Sequence, residues 1–181
     1  MKGREIVLCV TGGIAAYKAA DLASKFRQRG ANVTVAMTEA AMKLVSPITF
    51  EAVSGNSVAT TLWPAPGTRP LDHISLSERA HVIVVAPATA NFLGKVAAGI
   101  ADDVVTTTVM ASFPVVPVVV APAMNDRMWA NPVLQRNVKT LSELGYSIVG
   151  PGEGWLACGT VGPGRMAEVD EIIEAVEAAF K

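Results

Sequence analysis

The sequence predicts an α/β protein with a doubly wound, Rossmann-like and mostly parallel sheet, formed as a single domain over residues 1–181. Short apolar runs alternate with stretches of helical periodicity, which is the pattern of βαβ units. The runs are continuous rather than alternating, as expected for strands covered on both faces. Right-handed crossovers then place helices on both sides of the sheet.

The elements follow in order along the chain. A first strand at 5–10 leads through a glycine turn into a helix that ends near Gly30. Further strands are predicted at 32–38, 80–88, 115–123 and 146–150, and further helices at 39–45, 48–55, 91–99, 102–112, 131–145 and 167–181. The proline-rich stretch 63–73 is predicted to be a loop. The glycine-rich stretch 151–166 is also predicted to be a loop, and its glycines favour a mobile lid.

Composition restricts the classes of function. Hydrophobic residues make up 51% of the chain and charged residues 17%, which excludes a disordered protein. The net charge of −1, without a basic cluster, argues against a nucleic-acid partner. No apolar run approaches the roughly 20 residues of a membrane span. We therefore expect a cytoplasmic protein without a membrane partner.

The cysteine and methionine content leads to three further expectations. Cys9 and Cys158 are the only cysteines and lie far apart, so a disulfide framework is not expected. No Cys/His cluster has zinc spacing, so no metal is expected. Seven methionines and a mean hydropathy of +0.39 favour a homo-oligomer in which apolar surface is buried between subunits.

Every unusual stretch lies at the carboxyl end of a predicted strand, where ligands bind in such sheets. These stretches are 11–16, 38–39, 87–91 and 122–129. Gly12 and Gly13 allow close approach of a ligand, and the free N–H groups of the following helix favour a phosphate. The turn lacks the third glycine of the dinucleotide fingerprint and the ending of a Walker A loop. A glycine turn without a ligand and a ribose contact at Glu39 remain alternatives.

Four stretches together resemble the flavin-dependent cysteine decarboxylases. They are GGIAAYK (12–18), PATAN (87–91), PAMNDRMW (122–129) and ACGTVGPGRM (157–166). Their order also matches, and the likeness covers nearly the whole chain. It is strongest to the members that act on 4′-phosphopantothenoylcysteine in coenzyme A biosynthesis. PAMNDRMW fits the P-x-M-N-x-x-M-W pattern fully, whereas Phe92 stands where the family often has threonine.

This resemblance implies a cofactor, an assembly and a partner. The cofactor is FMN, and the assembly is built from trimers, as in a homotrimer or homododecamer, with the active site between subunits. The resemblance places FMN against Gly12, Gly13, Ile14 and Thr38 at its phosphate and ribityl end, and against Ala88, Thr89 and Asn91 at its ring. Many bacterial members are fused to a phosphopantothenate–cysteine ligase. Residues 1–181 are therefore expected to be a stand-alone enzyme or one domain of a fusion.

The implied reaction oxidises the substrate's thiol-bearing carbon, releases CO₂ and reduces the resulting enethiol to 4′-phosphopantetheine. Three residues are implied to be catalytic: His73 as a base or polarising group, Asn125 as the carboxylate ligand, and Cys158 as the proton donor for the reduction. Met128 and Arg165 are further candidate substrate contacts. Taken singly, His73 is also explained as a helix cap or a surface residue, and Asn125 as a residue that caps a turn. Cys158 is also explained as a small hydrophobic residue without a chemical role.

Other functions of the same fold stay open. The peptidyl-cysteine decarboxylases of lantibiotic maturation stop at the enethiol and need no reducing thiol, so Cys158 argues against them. Flavin prenyltransferases lack the N-x-x-M-W sequence. A non-catalytic FMN-binding regulator typically loses an active-site residue or carries a long acidic tail. A nicotinamide dehydrogenase is disfavoured by the missing third glycine.

Overall fold

The computed structural model describes residues 1–63 and 73–180, except for the side chain of His73. Its strands are β1 (Glu5–Val10), β2 (Asn32–Met37), β3 (Val58–Ala59), β4 (Val82–Ala88), β5 (Val118–Pro122) and β6 (Ser147–Ile148). They form one sheet in the order β3-β2-β1-β4-β5-β6. All five pairings are parallel. The predicted doubly wound α/β fold is therefore confirmed.

Helices cover both faces of this sheet. They are α1 (Ala16–Gln28), α2 (Glu39–Met42), α3 (Pro47–Ser54), α4 (His73–Arg79), α5 (Ala90–Ala97), α6 (Val104–Ser112), α7 (Asp126–Trp129), α8 (Pro132–Leu144) and α9 (Val169–Ala178). The buried side chains of α1, α3 and α9 pack on one face, and those of α4, α5, α6 and α8 pack on the other. No helix in the described ranges is long and apolar enough to cross a bilayer.

The central strands are apolar throughout because both of their faces are buried. Successive residues of a strand point to opposite sides of the sheet. Leu8 accordingly packs with the α1, α3 and α9 layer, whereas its neighbour Cys9 packs with the other layer. All seven residues of β4 are buried. This two-sided burial explains the continuous apolar runs of the sequence.

Helix ends follow from local chemistry. The side chain of Asp103 accepts hydrogen bonds from the backbone N–H groups of Val105 and Thr106 at the start of α6. Gly145 ends α8 with a left-handed φ of 108°, which glycine adopts without steric cost. The predicted end of that helix at Gly145 is confirmed.

The prediction of a loop over 151–166 is wrong. This stretch forms an antiparallel hairpin of β7 (Gly152–Trp155) and β8 (Val161–Arg165). A β-ladder is made by backbone groups, so glycine weakens a strand without preventing it. Strand β3 and helix α7 were not predicted, because they have two and four residues and are too short to show periodicity.

Candidate functional site

A cleft of about 520 Å³ opens beyond the carboxyl ends of β1, β4 and β5. Strands β1 and β4 are neighbours, and the chain continues from β1 to β2 on one side and from β4 to β5 on the other. This reversal of strand order is the position at which doubly wound sheets bind ligands. The volume is in the range of sites that hold a small-molecule ligand.

The first wall of the cleft is the glycine turn between β1 and α1. Gly12 packs so closely on the segment after β2 that an added Cβ would lie 2.4 Å from the Cβ of Ala40. Among the described residues, the N–H groups of Ile14 and Ala15 have no backbone partner. Free N–H groups at the N-terminus of a helix bind anions well. The predicted residues Gly12, Gly13 and Ile14 all line the cleft.

Two threonines join the ends of β1 and β4 beneath this turn. The hydroxyl of the buried Thr11 donates to the carbonyl of Pro87 at 2.7 Å and accepts from the N–H of Thr89 at 3.1 Å. The hydroxyl of Thr89 in turn accepts from the N–H of Phe92 and caps α5. Thr89 lines the cleft as predicted, whereas Thr11 was not predicted to be a site residue.

Asn125 and Cys158 meet at the second wall of the cleft, although 33 residues separate them in the chain. The Nδ2 of Asn125 donates to the Sγ of Cys158 at 3.1 Å. The Oδ1 of Asn125 accepts from the N–H of Arg127 at 2.9 Å and thereby caps α7. The asparagine therefore caps a turn and contacts the thiol at the same time.

The two cysteines differ strongly in their chemistry. Burial raises the pKa of the Cys9 thiol, because the charged thiolate is disfavoured in the core. Cys158 is exposed, and its hydrogen bonds with Thr160, followed by the one from Asn125, hold its pKa below the ordinary value. Of the two thiols, Cys158 is therefore the one suited to proton transfer.

Charged residues lie along a third side of the cleft. Arg165 in β8 lines the cleft as predicted and pairs with Glu168 at 2.5 Å. Lys18 in the first turn of α1 lines the cleft too, and its Nζ lies 3.5 Å from the other carboxylate oxygen of Glu168. One carboxylate thus holds two cations beside the cleft.

Three predicted site residues whose side chains the structure describes are not among those that line the cleft. Ala88 is fully buried, because its position in β4 turns its side chain into the core with α5. Asn91 is an exposed residue of α5, and Thr38 caps α2 by accepting from the N–H of Ala41. His73 is the first residue of α4, and its side chain lies outside the described part of the chain.

Several lining residues were missed by the sequence analysis. Tyr17 and Lys18 come from α1, and Trp155 and Leu156 come from the hairpin. One of these residues could have been predicted from the sequence. Lys18 is a cation at the positive end of a helix, where cations are disfavoured unless an anion is near. Met128, which was predicted, lines the cleft and is about half exposed. Among the described residues, no group of three His, Cys, Asp or Glu side chains could hold a metal.

Comparisons with known proteins agree on this architecture. The profile of the family described as Flavoprotein matches residues 1–181. The chain is 47% identical to the coenzyme A biosynthesis bifunctional protein CoaBC of Bacillus subtilis (strain 168), over 99% of this chain and 44% of that protein. The chain therefore spans less than half the length of the curated relatives that it matches.

Solved structures are also similar over nearly the whole chain. A cysteine-to-serine variant of a PPC decarboxylase, complexed with pantothenoylaminoethenethiol, is 32% identical with a TM-score of 0.85 and covers 98% of both chains. The FMN-dependent cysteine decarboxylase SpaF is 37% identical with a TM-score of 0.79, over 96% of this chain and 97% of that one.

Proposed function

Because this chain belongs to the Flavoprotein family, we propose that it is an FMN-dependent decarboxylase of 4′-phosphopantothenoylcysteine. The observation that carries this proposal is the 3.1 Å contact between Asn125 Nδ2 and Cys158 Sγ beside the cleft. A carboxylate ligand and a proton donor are two of the groups that the reaction needs beyond its cofactor. The similarity to a bifunctional coenzyme A biosynthesis protein supports the choice of substrate.

The cleft suits FMN in size and in the distribution of its groups. The free N–H groups of Ile14 and Ala15 are donors for the phosphate, and Gly12 and Gly13 leave the backbone accessible. Ala123, Met124, Met128 and Leu156 supply apolar surface for a flat ring. Bound there, FMN would supply the hydride acceptor for oxidation of the thiol-bearing carbon of the substrate and the hydride donor for the reduction after CO₂ has left.

Asn125 binds the substrate carboxylate in this proposal. An amide NH₂ has two N–H donors, so one remains for the carboxylate when the other contacts Cys158. The amide is neutral, and it therefore stabilises the carboxylate less than a lysine or arginine would. This matters because a strongly stabilised ground-state carboxylate would raise the barrier to loss of CO₂.

Cys158 acts after CO₂ has left. The remaining enethiol needs a proton on carbon as well as a hydride, and the exposed thiol with its lowered pKa is a suitable donor. The structure of the PPC decarboxylase supports this order, because that cysteine-to-serine variant holds pantothenoylaminoethenethiol. We propose His73 as the base for the substrate thiol, and Met128 and Arg165 as further substrate contacts.

Product analysis tests the proposal. The chain with FMN should convert 4′-phosphopantothenoylcysteine to a thiol that has lost CO₂, and mass spectrometry of the product identifies it. Cys158→Ser should release CO₂ but accumulate the enethiol, which has two hydrogens fewer. Cys9→Ala is the matched control and should give the normal product, because Cys9 lies in the core. Failure to bind FMN would refute the cofactor assignment. Turnover only of a peptide that ends in cysteine would refute the substrate assignment.

Assembly forms a second part of the proposal. Ile14, Tyr17 and Trp155 line the cleft with 64%, 63% and 70% of their surfaces exposed, which supports burial against a neighbouring copy. We propose a trimer-based homo-oligomer with a phosphopantothenate–cysteine ligase as fused or separate partner. Light scattering on the purified chain tests the oligomer, and a monomer that is fully active would contradict it.

A further inference from the structure

The thiol of Cys158 has a second polar neighbour that the proposed reaction leaves unused. The Oγ1 of Thr160 lies 3.1 Å from its Sγ. Backbone hydrogen bonds close the tip of the hairpin around Cys158, from Leu156 N to Thr160 O at 2.8 Å and from Gly159 N to Leu156 O at 2.9 Å. The turn therefore brings the backbones of Cys158 and Thr160 together, so that the hydroxyl and the sulfur are in contact.

The orientation of the Asn125 amide leaves Thr160 as the neighbour that can either donate to the sulfur or accept from it. Because Asn125 Oδ1 accepts from the N–H of Arg127, its NH₂ group faces the sulfur and must donate to it. A hydroxyl can rotate, so Thr160 accepts from the S–H group of a thiol and donates to a thiolate. It is therefore suited to the sulfur both before and after proton transfer.

We propose that Thr160 is a positioning residue for the proton-donor step, holding the sulfur beside Asn125 and stabilising the thiolate that the step leaves behind. This inference rests on the proposed role of Cys158. In that step Cys158 gives its proton to a carbon of the enethiol, and the cofactor would supply the hydride. The sulfur keeps the electron pair of the broken S–H bond, and the exposed thiolate then regains a proton from water.

Charged groups near the Cys158 thiol contact its sulfur less directly than Thr160 does. Lys18 and Arg165 line the same cleft, and α7, which packs on β8, carries Asp126 and Arg127. In the described part of the chain, none of them forms a hydrogen bond to the sulfur. The pKa of Cys158 is lowered first by its hydrogen bond to the Thr160 side chain, and burial opposes this.

The test compares Thr160→Val with Thr160→Ser in the FMN-loaded chain. Valine removes the hydroxyl at nearly constant shape, whereas serine retains it. Mass spectrometry follows alkylation of Cys158 by iodoacetamide as a function of pH. At about one pH unit below the wild-type midpoint, Thr160→Val should react about three- to tenfold more slowly, because less thiolate is present. It should also release a larger share of enethiol, and Thr160→Ser should restore both quantities.

The outcomes separate this inference from the proposed function. An unchanged alkylation midpoint in Thr160→Val, or a failure of serine to restore it, overturns the role of Thr160 even when Cys158→Ser accumulates enethiol. Normal product from Cys158→Ser overturns the proton-donor role itself, which is measured without any change at Thr160. Unchanged FMN absorbance and circular dichroism of the Thr160 variants verify their folding.

Discussion

The hydroxyl of Thr11 is predicted to stabilise the point at which the two halves of the sheet meet. Thr11→Val replaces the hydroxyl by a methyl group of similar size and keeps the β-branched shape that suits the end of a strand. The change removes the donor to the Pro87 carbonyl and the acceptor for the Thr89 N–H. Thr11 is 2% exposed and Pro87 is buried, so water cannot replace the hydroxyl at the Pro87 carbonyl.

The size of the effect follows from these two hydrogen bonds. Each contributes about 1 kcal/mol net, and a buried group left without a partner costs about 1–3 kcal/mol. The added methyl group recovers less than about 1 kcal/mol. We therefore expect a loss of about 2 kcal/mol in the free energy of unfolding. For a chain of this size that corresponds to a decrease of about 4–8 °C in Tm.

Equilibrium urea denaturation followed by circular dichroism, without added flavin, measures this loss. Thr11→Ser is the matched control, because it keeps the hydroxyl and should lose less than about 1 kcal/mol. The reasoning is refuted if Thr11→Val stays within about 0.5 kcal/mol of the wild type, which is the usual effect of an indifferent substitution. It is also refuted if serine costs as much as valine.

Two further predictions concern the hairpin and the thiols. Gly164→Ala should lower Tm by several degrees in a thermal melt, since its φ is 131° and an added Cβ would lie 2.3 Å from the carbonyl oxygen of Met124. Gly152→Ala is its control and should melt like the wild type, because its nearest contact would be 3.9 Å. In thiol labelling, the folded chain should react at Cys158 alone and the denatured chain also at Cys9. Because the pKa of Cys158 is lowered, its rate should reach half-maximum at a lower pH in the folded chain than after denaturation.

The central sheet could be predicted from the sequence because burial on both faces leaves a strong pattern. For β4, the prediction of 80–88 differs from the observed Val82–Ala88 by two residues at one end. Edge strand β3 has only two residues, and no periodicity can arise over that length. The accuracy of the prediction therefore decreases from the centre of the sheet to its edge.

The candidate site was predictable in its parts but not in its contacts. Motifs and strand ends indicated Gly12, Asn125 and Cys158 separately. The 3.1 Å contact between the last two depends on how the hairpin packs against α7, and the sequence predicted no hairpin. Lys18 was missed for a similar reason, because its partner Glu168 lies 150 residues further along the chain and only the fold brings them together.

The glycines of the hairpin allow close packing as well as turns. Taken from the sequence alone, the same glycines indicated a mobile lid. The N–H of Met124 donates to the carbonyl of Gly164 at 2.9 Å, so β8 is hydrogen-bonded to the residue before Asn125. Gly162 likewise lies against Asp126 in α7, where an added Cβ would be 3.3 Å from the Cβ of Asp126. A side chain at either glycine would push the hairpin away from this segment. Since Cys158 is at the tip of the hairpin, the same packing sets its distance to Asn125, and any opening of the hairpin must break the backbone and the side-chain contact together.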